Sequence, residues 1–280
     1  MPGKLILCGT PIGNLEDMSA RAVRVLSEAD VIACEDTRRT RKLLSHFGIA
    51  ARSLVVYNEA NERRKAPELL ERIQKGSDVV LVSDAGMPGL SDPGFRLVRA
   101  CVEAEVTIEV VPGPSAVITA LAVSGLAPGR FVFEGFLPRK SSERRRRIEE
   151  FATERRTIVV FESTHRLAAA LADLHDVLGD LDAVVAREMT KMHEEIRRGT
   201  IGELAEWAAT QAPKGEMVVV ISGAIGGHAD IPTDSELARR ANALMDSGTP
   251  RSTALSEVAR SSGVRKRQVF DALLAEERDD

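Results

Sequence analysis

Between Val79 and Gly94 the chain reads VVLVSDAGMPGLSDPG, an apolar run that gives way to three glycines, two prolines and two aspartates. A glycine-rich turn after a strand usually suggests a phosphate cradle, which needs backbone N–H groups pointing inward and a helix N-terminus behind them. Pro88 and Pro93 have no N–H to give, and Asp84 and Asp92 repel a phosphate. Neither a Walker lysine motif nor G-x-G-x-x-G occurs in the chain, which argues against NTP hydrolysis and nicotinamide chemistry. A carboxylate beside permissive backbone suits a ligand offering hydroxyls or positive charge, such as a ribose, an amino group or a sulfonium. Asp84, at the end of the strand, is the residue expected to face such a ligand. Asp92, just ahead of PGFRLVRACVEA, is expected to cap that helix with Pro93 in its first turn.

A site of this kind needs elements to hold it. Short apolar runs at 5–9, 31–35, 53–57, 79–83 and 107–111 alternate with amphipathic stretches such as SARAVRVLSEA and PELLERIQKG. Continuous apolar strands separated by helices predict a mostly parallel sheet covered on both faces. Ser19 is the expected N-cap of the first helix and Gly76 the stop of a later one. In open α/β sheets ligands bind beyond the carboxyl ends of the strands. Five loops therefore come forward: GTPIGNLED, EDTRRT, YNEANE, SDAGMPGLSDPG and PGPSA. After the Gly/Pro-rich SGLAPGR the pattern restarts with runs at 131–136, 157–162, 183–188, 194–200 and 216–222. Two of these follow each other without a helix, which predicts a mixed sheet. From Asp234 three short helical stretches follow, the last two with the look of a helix-turn-helix at SSGV, or of a small helical cap or dimer contact.

The chain has 280 residues, 44% of them apolar, enough for a sizeable core. Its apolar runs are far shorter than the roughly 20 residues of a membrane span, and its N-terminus lacks the pattern of a secretory leader. Cys8, Cys34 and Cys101 lie in or beside apolar runs without metal-ligand spacing, so buried thiols, no metal and a cytoplasmic location are expected. Net charge is −4, yet basic residues concentrate at RRTRK (38–42), RRK (63–65), RKSSERRRR (139–147) and RKR (265–267). Such patches on an acidic protein fit a polyanion held at a defined surface, or else solvated helix faces.

Several long motifs occur in a fixed order: TPIGNLEDMS, EDTRRTRKLLSHFGI, NEANE, LVSDAGMPGLSDPG, PGPSAVITAL, EGFLPRK, ESTHR, AREMTK and KGEMVVVI. Over residues 4–225 the chain resembles the family of small-subunit (16S) ribosomal RNA cytidine 2'-O-methyltransferases, a branch of the tetrapyrrole methylase superfamily. The restart after SGLAPGR and the change of texture near Asp234 divide the chain into 1–125, 126–228 and a small C-terminal helical extension at 229–280, and the resemblance implies a two-domain α/β fold of the tetrapyrrole-methylase type. It also implies a homodimer that binds S-adenosylmethionine between the domains. Carried over residue by residue, Asp84 and Gly86 lie near the ribose and methionine portions, with Thr10 beneath and Ser115 and Ala116 beside them. Phe161 and Met189 fall on the adenine side. The third loop, YNEANE, lacks the histidine common at that place, and Met189 replaces a more usual leucine, a change that keeps volume.

A ribose 2'-hydroxyl is a weak acid, so a base or a cation should assist its attack. Glu35, Asp36 and Glu162 are the candidate catalytic acids, with Lys191 as a further group; each acid is equally suited to a salt bridge. Arg38 and Arg166 are expected to grip RNA phosphates, and Lys140 with Arg144, Arg145, Arg146 and Arg147 to form a backbone clamp on 16S ribosomal RNA in the small subunit. A 2'-hydroxyl substrate excludes DNA. Tyr57 and Trp207 are the only Tyr and Trp, so base stacking is limited. The rivals are a methylase acting on a porphyrinoid and a non-catalytic ribosome-assembly factor.

Overall fold

The computed structural model describes residues 2–223, 233–262, 264 and 266–279. Residues 1–224 form one compact unit and residues 225–280 a second. The first unit holds two five-stranded sheets.

The first sheet is built from β1 (Leu5–Cys8), β2 (Val31–Cys34), β3 (Leu54–Val56), β4 (Val79–Leu81) and β5 (Ile108–Val111), ordered β3-β2-β4-β1-β5 and parallel throughout. Its central strands are buried on both faces, as the unbroken apolar runs require. The connecting helices are α1 (Ala20–Glu28), α2 (Thr37–His46), α3 (Glu62–Gln74) and α4 (Phe95–Glu103). Ser19 caps α1 by accepting from the Ala22 N–H, as expected. Gly76 follows α3 with φ at +102°, a left-handed turn that ends the helix. Because β1 lies between β4 and β5, the loops after these three strands are neighbours at one edge of the sheet. Gly9 and Gly113 let two of them touch: a Cβ on Gly9 would sit 2.7 Å from the Gly113 Cα.

The second sheet contains β6 (Phe131–Phe136), β7 (Thr157–Ser163), β8 (Asp182–Arg187), β9 (Glu195–Thr200) and β10 (Glu216–Ile221), ordered β6-β7-β10-β8-β9. Only β6 and β7 pair in parallel; the other pairs are antiparallel, which makes the sheet mixed as expected. Helices α6 (Ser141–Glu150), α7 (Leu167–Leu178) and α8 (Ile201–Gln211) accompany it, and their apolar residues share one core with its strands. Helix α5 (Ala116–Ser124) packs Val117, Ala120 and Leu121 against Val159, Val184, Val218 and Val220 of this sheet. A division at residue 125 leaves α5 with the first sheet, whereas its buried residues place it on the second. The crossing from one sheet to the other therefore precedes α5, at Pro112–Pro114.

In the second unit α9 (Asp234–Asp246), α10 (Arg251–Ser262) and α11 (Lys266–Asp279) enclose a small core around Leu237, Leu255, Val258 and Leu273. The boundary expected at 228/229 lies outside the described residues, as do Gly263 and Arg265. Cys8, Cys34 and Cys101 are free and buried, and burial pushes the Cys8 thiol up to about 12, which keeps it an inert thiol at neutral pH. Among the described residues no helix is long and apolar enough to cross a membrane, and no cluster of His, Cys, Asp and Glu could hold a metal ion.

Candidate active site

The loops after β1, β4 and β5 meet the ends of β7 and β10 around a cavity of about 430 Å³. That volume lies in the range of small-molecule and cofactor sites, roughly 300–1,000 Å³. One wall is apolar, with Phe161, Met189, Met217 and Val218 from the second sheet. Phe161 is held edge-on against Phe133 at 4.9 Å between ring centres, and Phe136 leans on it at 5.5 Å. The other wall is the Asp84 turn, with Asp84, Gly86, Met87 and Asp92 lining the space. Ser115 caps α5 through its hydroxyl and, with Ala116, presents the start of that helix to the cavity.

The turn is fixed from below. Thr10 and Gly86 exchange two backbone hydrogen bonds, at 2.9 and 3.1 Å, and the buried Thr10 hydroxyl donates to the carbonyls of Ser83 and Gly86. Gly86 has φ at +81°, a conformation that favours glycine. Thr10 thus supports the loop and does not itself line the cavity.

From the side, β2 holds the turn through a lattice of acids. The Asp84 N–H donates to Glu35 Oε1 at 3.0 Å, and Asp84 Oδ1 accepts from the Asp36 N–H at 3.2 Å. Asp84 Oδ2 faces Arg39 Nη1 at 3.4 Å. Asp36 caps α2, accepting from the Arg38 N–H at 2.7 Å. Burial pushes the Glu35 carboxyl up, the Asp84 charge adds to this, and the Asp84 N–H opposes it. Asp92 is raised further, to about 7, first by burial and then by the Glu35 and Asp84 charges against a hydrogen bond from Ser83.

This corrects the expectation for Asp92. Helix α4 begins at Phe95 with Gly94 as its N-cap and no side-chain cap bond, so Asp92 is not a cap. The backbone turns at Gly94 (φ +155°) before the helix starts, which leaves the Asp92 carboxyl at the cavity. Arg39, which the sequence reading did not single out, also lines the cavity. With Asp36 as N-cap, the second and third helical positions point in different directions, and the third reaches Asp84.

The candidate acids separate. Glu162 lines the cavity and is almost fully buried; Oε1 accepts from Ser163 and Oε2 pairs with Arg166 Nη2 at 3.0 Å. Glu35 and Asp36 instead hold backbone N–H groups behind the turn. Lys191 pairs with Glu188 and Glu216, both at 2.9 Å.

The expected cationic clamp on α6 is largely paired with carboxylates of the protein itself. Arg144 is buried, with Nη2 2.5 Å and Nε 2.7 Å from Asp173 Oδ2, and cannot face a phosphate. Arg145 pairs with Asp173 and Asp176, Arg147 with Glu134 and Glu150, and Lys140 with Glu143. Arg166 donates to the Leu137 carbonyl at 2.6 Å besides pairing with Glu162, so its guanidinium is turned inward rather than toward RNA. Arg146 is exposed and forms no ion pair among the described residues, and the same holds for Arg38.

Residues 4–205 match the family model of tetrapyrrole (corrin/porphyrin) methylases. The chain is 44% identical over 278 residues to the ribosomal RNA small subunit methyltransferase I of a Synechocystis species, covering 99% of each chain. It is 46% identical over 280 residues to the protein of that name from Mycobacterium tuberculosis, covering 99% of this chain and 96% of the relative. Among solved structures, a uroporphyrin-III C-methyltransferase from Thermus thermophilus complexed with S-adenosylhomocysteine superposes with a TM-score of 0.55 at 21% identity, over 78% of this chain and 97% of that one. A diphthine synthase superposes with a TM-score of 0.57 at 18% identity, over 78% and 89%. The chain belongs to the tetrapyrrole methylase family, within the group of the ribosomal RNA small subunit methyltransferases I.

Proposed function

We propose that this protein transfers a methyl group from S-adenosylmethionine to the ribose 2'-hydroxyl of a cytidine in 16S ribosomal RNA, acting on the small ribosomal subunit as a cytoplasmic homodimer. The observation that carries the reading is the Asp84–Gly86 turn beside an apolar cavity, in a chain that aligns end to end with proteins named as ribosomal RNA methyltransferases. The residues present fit the cofactor. Asp84 offers a carboxylate to ribose hydroxyls or an ammonium group, the start of α5 at Ser115 and Ala116 suits a carboxylate, and Phe161 and Met189 offer an apolar wall to a base. Bound S-adenosylmethionine supplies a methyl group on a positively charged sulfur, which leaves as a neutral thioether.

The protein's own contribution is then position and proton transfer. Holding two reactants in line contributes up to about 7–11 kcal/mol in favourable cases. No acid is needed for the leaving group, but the ribose hydroxyl must lose its proton. Asp92, at the cavity and held near 7, is better matched to accept a proton at neutral pH than Glu162, whose oxygens are committed to Ser163 and Arg166. Glu35 and Asp36 act as positioning residues for the turn. A homodimer is supported by the exposed Phe95 and Val102 of α4, Val110 of β5 and Ile118 of α5. A cytoplasmic location is supported by the three free, buried thiols.

The test is incubation with methyl-labelled S-adenosylmethionine and small subunits that lack the modification. Label in RNA at a single linkage resistant to alkaline cleavage is expected. Label passing only to a porphyrinoid, or cofactor uptake without transfer, would replace this reading by one of its rivals.

A further inference from the structure

Each of the other helices of the first unit that carries lysine or arginine has an exposed cation with a carboxylate three or four residues away: Arg24–Glu28 on α1, Arg64–Glu68 on α3, Arg99–Glu103 on α4 and Arg147–Glu150 on α6. Helix α2 breaks this habit. Its sequence, TRRTRKLLSH, carries Arg38, Arg39, Arg41 and Lys42 and no acid. Among the described residues it is the only helix with lysine or arginine and neither aspartate nor glutamate. Thr40 and Leu44 are buried and fix which side faces the protein. At about 100° per residue the four cations fall within an arc of roughly 160° on the opposite side, and all four are exposed.

The location of this face matters as much as its charge. Asp36 caps the helix while its own N–H is bound to Asp84, so the first turn of α2 is tied to the rim of the cavity. Arg39 lines that cavity. Arg38, Arg41 and Lys42 form no ion pair among the described residues, so a phosphate can approach them without displacing a protein carboxylate. On α6, by contrast, every cation of the 144–147 run but Arg146 would first have to leave a partner.

We infer that the exposed face of α2 is the track along which the RNA backbone is led to the cavity, Arg38, Arg41 and Lys42 holding successive phosphodiesters and Arg39 standing at the inner end. The inference rests on the reading that the substrate is RNA. Each phosphate neutralised on a single strand contributes about 0.7 to the slope of log affinity against log salt.

The test compares full-length wild type, the triple variant R38Q/R41Q/K42Q, and R146Q on α6. Binding of unmodified small-subunit RNA is measured between about 50 and 200 mM salt, together with S-adenosylmethionine affinity and melting temperature. The triple variant is expected to lose about 2 from the salt slope and at least tenfold in affinity at low salt, with cofactor binding and melting unchanged. R146Q should behave as wild type, and R38K/R41K should retain the wild-type slope. Should the triple variant fold poorly, R41E alone supplies the same readout. A triple variant with wild-type slope and affinity, or an R146Q loss as large as that of the triple, overturns the inference. Wild type that neither binds nor methylates the RNA overturns the functional reading, and the inference with it.

Discussion

Asp92→Asn should make the protein more stable and less active, with a pH dependence of defined sign. The Asp92 carboxyl is raised from 3.8 to about 7, chiefly by burial and then by the neighbouring Glu35 and Asp84 charges. In the unfolded chain it ionises near 4. Below that pH both states carry the proton and the site contributes no difference. Between about 4 and 7 the unfolded chain ionises while the folded protein keeps its proton, so folded stability falls as pH rises; above 7 the deficit is constant. At about 1.4 kcal/mol per tenfold the full deficit is about 4 kcal/mol. Asp92 is only partly buried, and solvent screening of a half-open carboxyl reduces this to about 1–2 kcal/mol. The amide carries no charge to desolvate. Urea unfolding across pH should therefore show the variant about 1–2 kcal/mol more stable at pH 8, with the gain shrinking to nearly nothing at pH 4. Turnover should drop by about 10²–10⁴ if the carboxylate accepts the proton of the ribose hydroxyl. A stability gain that ignores pH, or grows toward acid, would refute the reasoning about burial, and undiminished turnover would refute the assigned role.

Three further outcomes follow from contacts in the first unit. Arg144→Met removes one partner of a buried ion pair and should cost about 3–5 kcal/mol by chemical denaturation, with no change in the salt dependence of RNA binding; a weaker salt dependence would return Arg144 to the RNA surface. Glu162→Gln weakens the tie to Arg166 and should cost about 1–3 kcal/mol, read by thermal melting with and without cofactor. Thr200 and Glu203 form a reciprocal capping box at the start of α8, so Thr200→Ala should cost about 1 kcal/mol and leave cofactor affinity untouched.

What the sequence disclosed follows from how local each signal is. VVLV and EMVVVI announce strands because a strand buried on both faces has no polar alternation to disguise it, and the structure places β4 and β10 there. Ser19 was legible because a cap bonds within three residues. Asp84 could be singled out because the prolines around it exclude the commoner ligand, and the structure places it at the cavity. The fate of the RKSSERRRR run was not, since Arg144 is neutralised by Asp173, twenty-nine positions away on α7. Asp92 was hidden for the same reason: its carboxyl is raised first by burial and then by Glu35, which reaches the site only through the pairing of β2 with β4. Helix α5 looked like the close of the first half because PGPSAVITAL follows its last strand, yet its apolar residues complete the second sheet.

Calorimetric titration of wild type and Asp84→Asn with S-adenosylmethionine, and of wild type with ATP, addresses the cavity's ligand most directly. Wild type should bind the methyl donor and not the triphosphate. The amide, which keeps an acceptor for the Asp36 N–H but loses the charge, should weaken donor binding by about 10- to 100-fold, the equivalent of one charged hydrogen bond. Tight binding of ATP, or an Asp84→Asn variant that holds the donor as well as wild type does, would contradict a site built around that carboxylate.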